Sequence, residues 1–171
     1  VPEAEHTVSN AEELETALAR VDEGEWDGHT LRLTDNIEYS RPITLIDRTL
    51  TIDTNGYTLT VNPSADSAPN VDPMSGAPEI AAVYAGNDSM LTLTGGGLNV
   101  QAGPGVAYGV YAASGSSAQA GSVTSTGGKA AVYALGSGSS VSVSGTVSAE
   151  GEDAVGVKCA DGGMIDVAVT R

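Results

Sequence analysis

Short segments that alternate apolar with small polar residues run through most of the chain, and one of them returns four times. Its copies begin 27, 22 and 25 residues after one another: Ala82-Val83-Tyr84-Ala85, Gly109-Val110-Tyr111-Ala112, Ala131-Val132-Tyr133-Ala134 and Gly156-Val157-Lys158-Cys159. Each copy is followed by a Gly/Ser/Asp-rich turn and further alternating runs. Repeats of this length that contain only short strands are typical of a stacked solenoid.

Alignment of the four copies predicts which side chains face inward. Two columns hold small apolar residues and are predicted to line the core: Val83, Val110, Val132 and Val157 in one, and Ala85, Ala112, Ala134 and Cys159 in the other. The column between them, Tyr84, Tyr111, Tyr133 and Lys158, is predicted to face solvent, because burying an unpaired ammonium is costly. Cys159 is accordingly interpreted as a small core residue and not as a nucleophile.

Two further sets of alternating runs follow the repeated fragment in each coil. One set contains Leu91-Thr92-Leu93, Val141-Ser142-Val143 and Ile165-Asp166-Val167; the other contains Leu98-Asn99-Val100, Ser122-Val123-Thr124 and Thr146-Val147-Ser148. Three strands per coil predict an all-β fold, a triangular parallel β-solenoid.

The first third of the chain extends this pattern toward the N-terminus. Strands are predicted at 30–33, 43–45, 50–52 and 57–61, and Asn55-Gly56 also fits a hairpin turn between antiparallel strands. One helix is predicted over 9–21, where Ser9 and Glu12 have the spacing of a capping box. Its apolar stripe is expected to pack on the open end of the stack; the stripe consists of Leu14, Ala17, Leu18 and Val21.

Residues 62–79 interrupt the rhythm with four of the seven prolines. They predict a long exposed excursion loop from one continuous domain, 1–171, with a linker between two domains as the alternative. The apolar segment 165–169 ends without polar closure, and the chain begins at Val1. A fragment of a longer protein is therefore expected, with end-to-end association through the last coil as the alternative.

With its capping helix, the stretch 50–59 and three strands per coil, the chain resembles right-handed parallel β-helix proteins of the pectate-lyase-like superfamily. More specifically, it is similar to the non-catalytic β-helix modules of bacterial surface and adhesin-type proteins. The resemblance implies a right-handed β-helix, an extracellular or cell-surface location, and partners among glycans or host and cell-surface molecules. It provides no catalytic residues that can be carried over.

Charge and composition narrow the function classes. The chain has 22 acidic and seven basic residues and a net charge of -15, so nucleic acid and anionic membranes are unsuitable partners. No apolar run reaches membrane-spanning length, which argues against membrane insertion. The single cysteine excludes an internal disulfide. No cofactor is predicted.

The tyrosine column is the main candidate site. Tyr84, Tyr111 and Tyr133, with Lys158 at the end, would form an aromatic strip suited to the apolar faces of sugar rings. The alternative is that the stacked rings only stabilise neighbouring coils. The predicted function is thus a non-catalytic structural or adhesive module with a glycan-binding strip.

Other functions find less support in the sequence. A polysaccharide lyase or glycoside hydrolase needs converging acids, yet Ser89 to Ala149 contains no Asp or Glu. The remaining candidates for a pair are Asp47, Asp53, Glu150, Glu152, Asp153, Asp161 and Asp166; Asp88 and Asp161 are interpreted as turn residues. No metal site is predicted: His6 and His29 lack a further ligand at suitable spacing, and the acidic turn 150–153 is a weak Ca²⁺ candidate. An ice-binding surface would need Thr rows more regular than those present.

Overall fold

The computed structural model describes residues 5–71, 78–126, 128–151 and 155–167. In chain order the elements are β1 (Glu5–Val8), α1 (Ala11–Asp22), β2 (Thr30–Leu33), β3 (Ile37–Tyr39), β4 (Ile43–Ile46), β5 (Thr49–Asp53), β6 (Leu59–Val61), β7 (Ala81–Gly86), β8 (Met90–Thr94), β9 (Leu98–Ala102), β10 (Tyr108–Ala113), β11 (Ser117–Ala120), β12 (Ser122–Thr126), β13 (Ala130–Leu135), β14 (Ser140–Val143), β15 (Val147–Glu150), β16 (Val157–Ala160) and β17 (Met164–Val167).

The strands form a parallel β-solenoid of about six turns with three strands per coil, as the repeats predict. Sheet I has the order β1-β2-β5-β8-β11-β14-β17, sheet II β16-β13-β10-β7-β4 and sheet III β15-β12-β9-β6-β3. The hairpin alternative at Asn55-Gly56 is wrong. Both residues have positive φ, of 52° and 83°, but they turn the chain from sheet I to sheet III, where no antiparallel pair forms.

The inward columns predicted from the repeats are confirmed through the middle of the stack. Val83, Val110 and Val132 are in register and fully buried, with Ile43 one coil earlier. On the last coil the prediction of burial is wrong: Val157 and Cys159 keep the register but are exposed. No described residue lies over this rung, so a side chain that points toward the core axis is still in contact with solvent there.

Buried hydroxyls support the corner between sheets II and I. Ser89, Ser116 and Ser139 are buried on successive coils. The Ser89 amide donates to Ser116 Oγ at 3.1 Å, and the Gly115 amide donates to Ser139 Oγ at 3.0 Å. Each serine therefore satisfies a backbone group that the turn would otherwise leave unpaired in the interior.

Helix α1 covers the N-terminal end of the stack, as predicted. Leu14, Ala17 and Val21 are buried in the main core, and Leu18 packs against its edge. The capping residues differ by one position from the prediction. Asn10 is the N-cap and accepts from the Glu13 amide at 2.8 Å, while the Glu13 carboxylate accepts from the Ser9 amide and hydroxyl.

The sheets continue across the segment 62–79. Strands β4, β5 and β6 before it pair with β7, β8 and β9 after it. Val71 and Glu79 form an antiparallel bridge at the base of this segment. The Asn70 side chain donates to Thr44 Oγ1 at 3.0 Å and to the Ala81 carbonyl at 2.9 Å, which fastens the loop to the edge of sheet II. Among the described residues, no helix is long and apolar enough to cross a membrane.

Candidate functional site: the tyrosine cluster on sheet II

The tyrosine column has the register that the repeats predict. Tyr84, Tyr111, Tyr133 and Lys158 lie on consecutive strands β7, β10, β13 and β16 and are direct partners, with Thr44 preceding them on β4. The residues on either side belong to the main core, whereas the three tyrosines belong to a separate cluster on the outer surface of the sheet. The outward direction is therefore confirmed.

The prediction that the whole column is exposed to solvent is wrong. Tyr111 is only 7% exposed, and Tyr84 and Tyr133 are half-buried. The sequence prediction missed Tyr108, which is 6% exposed and completes the cluster, and Val71, which the loop 62–79 places against the same rings. An outer surface is thus covered by its own aromatic neighbours and by the excursion loop.

The rings do not form a flat strip. Tyr84 meets Tyr111 edge to face, with centroids 5.4 Å apart and planes at 74°. Tyr108 meets Tyr111 in the same manner at 4.9 Å and 89°, and Tyr133 stacks on Tyr111 at 4.8 Å and 29°. Edge-to-face and offset contacts are the favourable geometries for aromatic pairs. Tyr111 sits at the centre and has the fewest free faces.

A carboxylate and an ammonium border the cluster, and neither was among the predicted site residues. The Glu79 carboxylate lies 2.7 Å from Lys129 Nζ and accepts from the Tyr108 hydroxyl at 3.4 Å. The Glu79 side chain is 12% exposed and that of Lys129 is 65% exposed. The only sequence signal was the position of Glu79 at the end of the proline-rich segment, which does not specify what it contacts.

Burial makes the central phenols harder to ionise than an ordinary tyrosine. It raises the pKa of Tyr108 to about 12, with the Glu79 charge adding to the effect. Burial also raises the pKa of Tyr111 well above its usual range, and the neighbouring phenols Tyr133 and Tyr108 raise it further. At physiological pH these hydroxyls therefore serve as hydrogen-bonding groups and not as bases.

The exposed part of the site is its edge. Lys158 is exposed, and its Nζ lies 5.1 Å from the centroid of the Tyr133 ring, a distance that suits a cation–π contact. Tyr84 and Tyr133 keep part of their rings accessible. A ligand on this surface would therefore contact Tyr84, Tyr133 and Lys158, while Tyr111 supports them from below.

The described acidic candidates are divided between turns and strands: Asp47 and Asp161 lie in turns, whereas the others lie on β5, β15 and β17 (Asp53, Glu150 and Asp166). Asp47, Asp88 and Asp161 have positive φ, of 55°, 61° and 51°, at the turns that follow sheet II. Asp53 accepts from the Asn55 amide at 3.0 Å. The described residues contain no group of three or more His, Cys, Asp or Glu side chains that could hold a metal ion. Glu152 and Asp153 of the acidic turn 150–153 lie outside the described residues.

Two other features were not predicted as sites. The ring of His6 lies beside that of His29, although 23 residues separate them in sequence. A cleft of about 620 Å³ opens between α1, the turn after β3 and the loop 62–79, and Arg41 pairs with Glu15 across it. The other lining residues that carry polar groups include Ser40, Thr44, Ser64, Asp66, Ser67 and Asn70.

Comparison with known proteins identified no relative of this chain. No family model, no curated protein and no solved structure matches the chain.

Proposed function

We propose that this chain is a non-catalytic structural and adhesive module of an extracellular or cell-surface protein. One observation supports the proposal: the side chains that could perform acid–base chemistry are instead occupied in packing, in an ion pair and in turns. Tyr108 and Tyr111 are buried in an aromatic cluster, Glu79 is paired with Lys129, and two of the candidate aspartates occupy left-handed turn positions. The resemblance to the β-helix modules of bacterial surface proteins points the same way.

The adhesive part of the proposal concerns the accessible edge of the tyrosine cluster. Tyr84 and Tyr133 offer partial ring faces for the C–H face of a sugar, and Lys158 offers a hydrogen-bond donor for its hydroxyls. The chain's net charge of -15 favours neutral over anionic glycans. This assignment makes Tyr133 the most informative residue to change, since it contacts both Tyr111 and Lys158.

A glycan array probed with the wild-type protein, Tyr133→Ala and Lys158→Ala tests the adhesive part. The matched control is Tyr57→Ala, because Tyr57 is 37% exposed and lies outside the cluster. We expect the wild type and Tyr57→Ala to bind neutral glycans. Tyr133→Ala and Lys158→Ala should lose this binding, although circular dichroism should show that both variants are folded. Absence of wild-type binding would contradict the adhesive function and leave the structural one.

Binding that persists in Tyr133→Ala and Lys158→Ala would move the site to another surface. The cleft of about 620 Å³ is then the next candidate, since Arg41, Glu15 and Asp66 can exchange hydrogen bonds with sugar hydroxyls there. Arg41→Ala should then abolish binding. Release of shorter or unsaturated products from a bound polysaccharide would instead favour the alternative function, a β-helix lyase or hydrolase.

A further inference from the structure

Two histidines and the chain's only tryptophan form a cluster at the N-terminal end of the solenoid. His6 lies on β1, the edge strand of sheet I, whereas Trp26 and His29 lie between α1 and β2. The His6 ring stacks on Trp26, with centroids 3.5 Å apart and planes at 5°. His6 Nε2 lies 3.0 Å from His29 Nδ1, so the two imidazoles share one N–H···N hydrogen bond.

This hydrogen bond requires one of its two nitrogens to be unprotonated. When both rings are doubly protonated, both nitrogens are donors and the hydrogen bond is lost. Two positively charged rings then face each other and repel. Imidazoles are the side chains whose ordinary pKa places this change between about pH 5 and 8. Protonation of both rings therefore removes a contact between β1 and the segment that precedes β2.

The surrounding charges favour the unprotonated state of His6. Arg20 from α1 lies over the Trp26 ring, 5.4 Å from its centroid, and adds positive charge. Glu25 opposes this but pairs with Arg20 at 2.8 Å. On the outer side of the sheet, Glu5 and Arg32 pair with each other. Burial first, and then the charges of His29 and Arg20, lower the pKa of His6 from its usual value of 6.5.

We infer that the His6–Trp26–His29 cluster is a proton-sensitive attachment that holds β1 on β2 at neutral pH and releases it in mild acid. Among the described residues, this short strand is otherwise held mainly by its pairing with β2 over the four residues from Glu5 to Val8 and by the Glu5–Arg32 ion pair; of its own residues only Val8 is fully buried. Release would leave the edge of β2 unpaired, and an unpaired edge is a template for strand addition.

The direction of the pH dependence follows from linkage. The docked strand holds His6 at a lowered pKa, so the released strand binds protons more readily. The contribution of the cluster to docking is therefore complete above about pH 6.5 and is lost as the pH falls through that value. Neutral conditions favour the docked strand and mild acid favours the released one.

Amide hydrogen exchange tests the inference directly. The Thr34 amide donates to the Val8 carbonyl at 3.0 Å and reports docking of β1, whereas the Ser117 amide, bonded to the Ser89 carbonyl at 2.9 Å, reports the middle of the same sheet. Protection factors corrected for intrinsic rates should fall for Thr34 between about pH 7.5 and 5, and stay constant for Ser117. EDTA in both buffers prevents a bound metal from bridging the histidines.

Two variants separate protonation from structural damage. His6→Phe keeps an aromatic ring on Trp26 but cannot titrate, so Thr34 protection should become independent of pH over this range. His29→Gln removes the second imidazolium and should reduce the loss seen in the wild type. Wild-type Thr34 protection that does not change with pH would overturn the inference, as would an undiminished loss in both variants. Trp26 emission provides a second readout of the stack.

Discussion

At the scale of single residues, Tyr111 is the centre of the tyrosine cluster and is expected to contribute most to its stability. It contacts Tyr84, Tyr108 and Tyr133 and is 7% exposed. Tyr111→Ala should lower the free energy of unfolding by about 3 kcal/mol, because large buried rings leave a cavity and lose their aromatic contacts. Urea denaturation followed by circular dichroism measures the change.

Tyr57→Ala is the control for this prediction. Tyr57 is 37% exposed and has no ring partner in the cluster, so its removal should cost less than about 1 kcal/mol. Equal losses of stability in the two variants would mean that the cluster does not stabilise the stack. The stacked tyrosines would then be free to serve recognition alone.

The same column marks the limit of prediction at this scale. Register follows from the repeat alone, so the pairing of Tyr84, Tyr111 and Tyr133 could be read from the sequence. Burial of Tyr111 could not. Tyr108 begins β10 at a position that holds alanine on the neighbouring coils, and Val71 belongs to the loop 62–79, which has no repeat to align. The contact between Glu79 and Lys129 was unpredictable for the same reason.

At the scale of elements, the N-terminus of α1 offers a sharp test of which glutamate forms the cap. The Glu13 carboxylate accepts from the Ser9 amide and hydroxyl, and these hydrogen bonds lower its pKa. Glu13→Ala should destabilise the protein more than Glu12→Ala, although both remove one acidic residue from the first turn. Thermal denaturation at pH 7 compares the two variants.

Acid provides an independent check of the same cap. The pKa of Glu13 is depressed in the folded state, so its contribution is present above the ordinary carboxyl pKa of about 4.5 and is lost as the pH falls below that value. The stability difference between the wild type and Glu13→Ala should therefore narrow in acid. A larger effect of Glu12→Ala at neutral pH would restore the sequence-predicted cap.

Most strands that alternate branched apolar with polar residues were predicted, whereas β1, β3 and β11 were missed. Alternating Leu, Ile and Val gave β2, β5 and β9 close to their observed bounds. Strand β11 was missed because its inward residues are Ala118 and Ala120, which carry little strand signal. Strand β1 was missed as well, since His6 occupies an inward position that is apolar on the next coil.

At the scale of the whole molecule, the close spacing of successive coils requires glycine at one corner of the solenoid. Glycines recur at the corner between sheets I and III on three successive coils: Gly97, Gly121 and Gly145. A Cβ on Gly121 would lie 2.1 Å from the Gly96 carbonyl oxygen, and one on Gly145 would lie 2.4 Å from that of Gly121. Successive coils thus approach each other at this corner more closely than any side chain permits.

Gly121→Ala should therefore act on the stack and not only on its own turn. Relief of a backbone clash requires the coils of β9 and β12 to separate, and overpacking of this kind costs roughly 2 kcal/mol or more. Gly103→Ala is the matched control, because a Cβ there meets no atom within 4 Å.

Since each coil of a solenoid contacts only its neighbours, the damage caused by Gly121→Ala should remain local: hydrogen exchange should accelerate in β9 and β12 more than in β2. If Gly121→Ala and Gly103→Ala are equally stable, the corner can widen without cost, and close approach of the backbones does not fix the spacing of the coils.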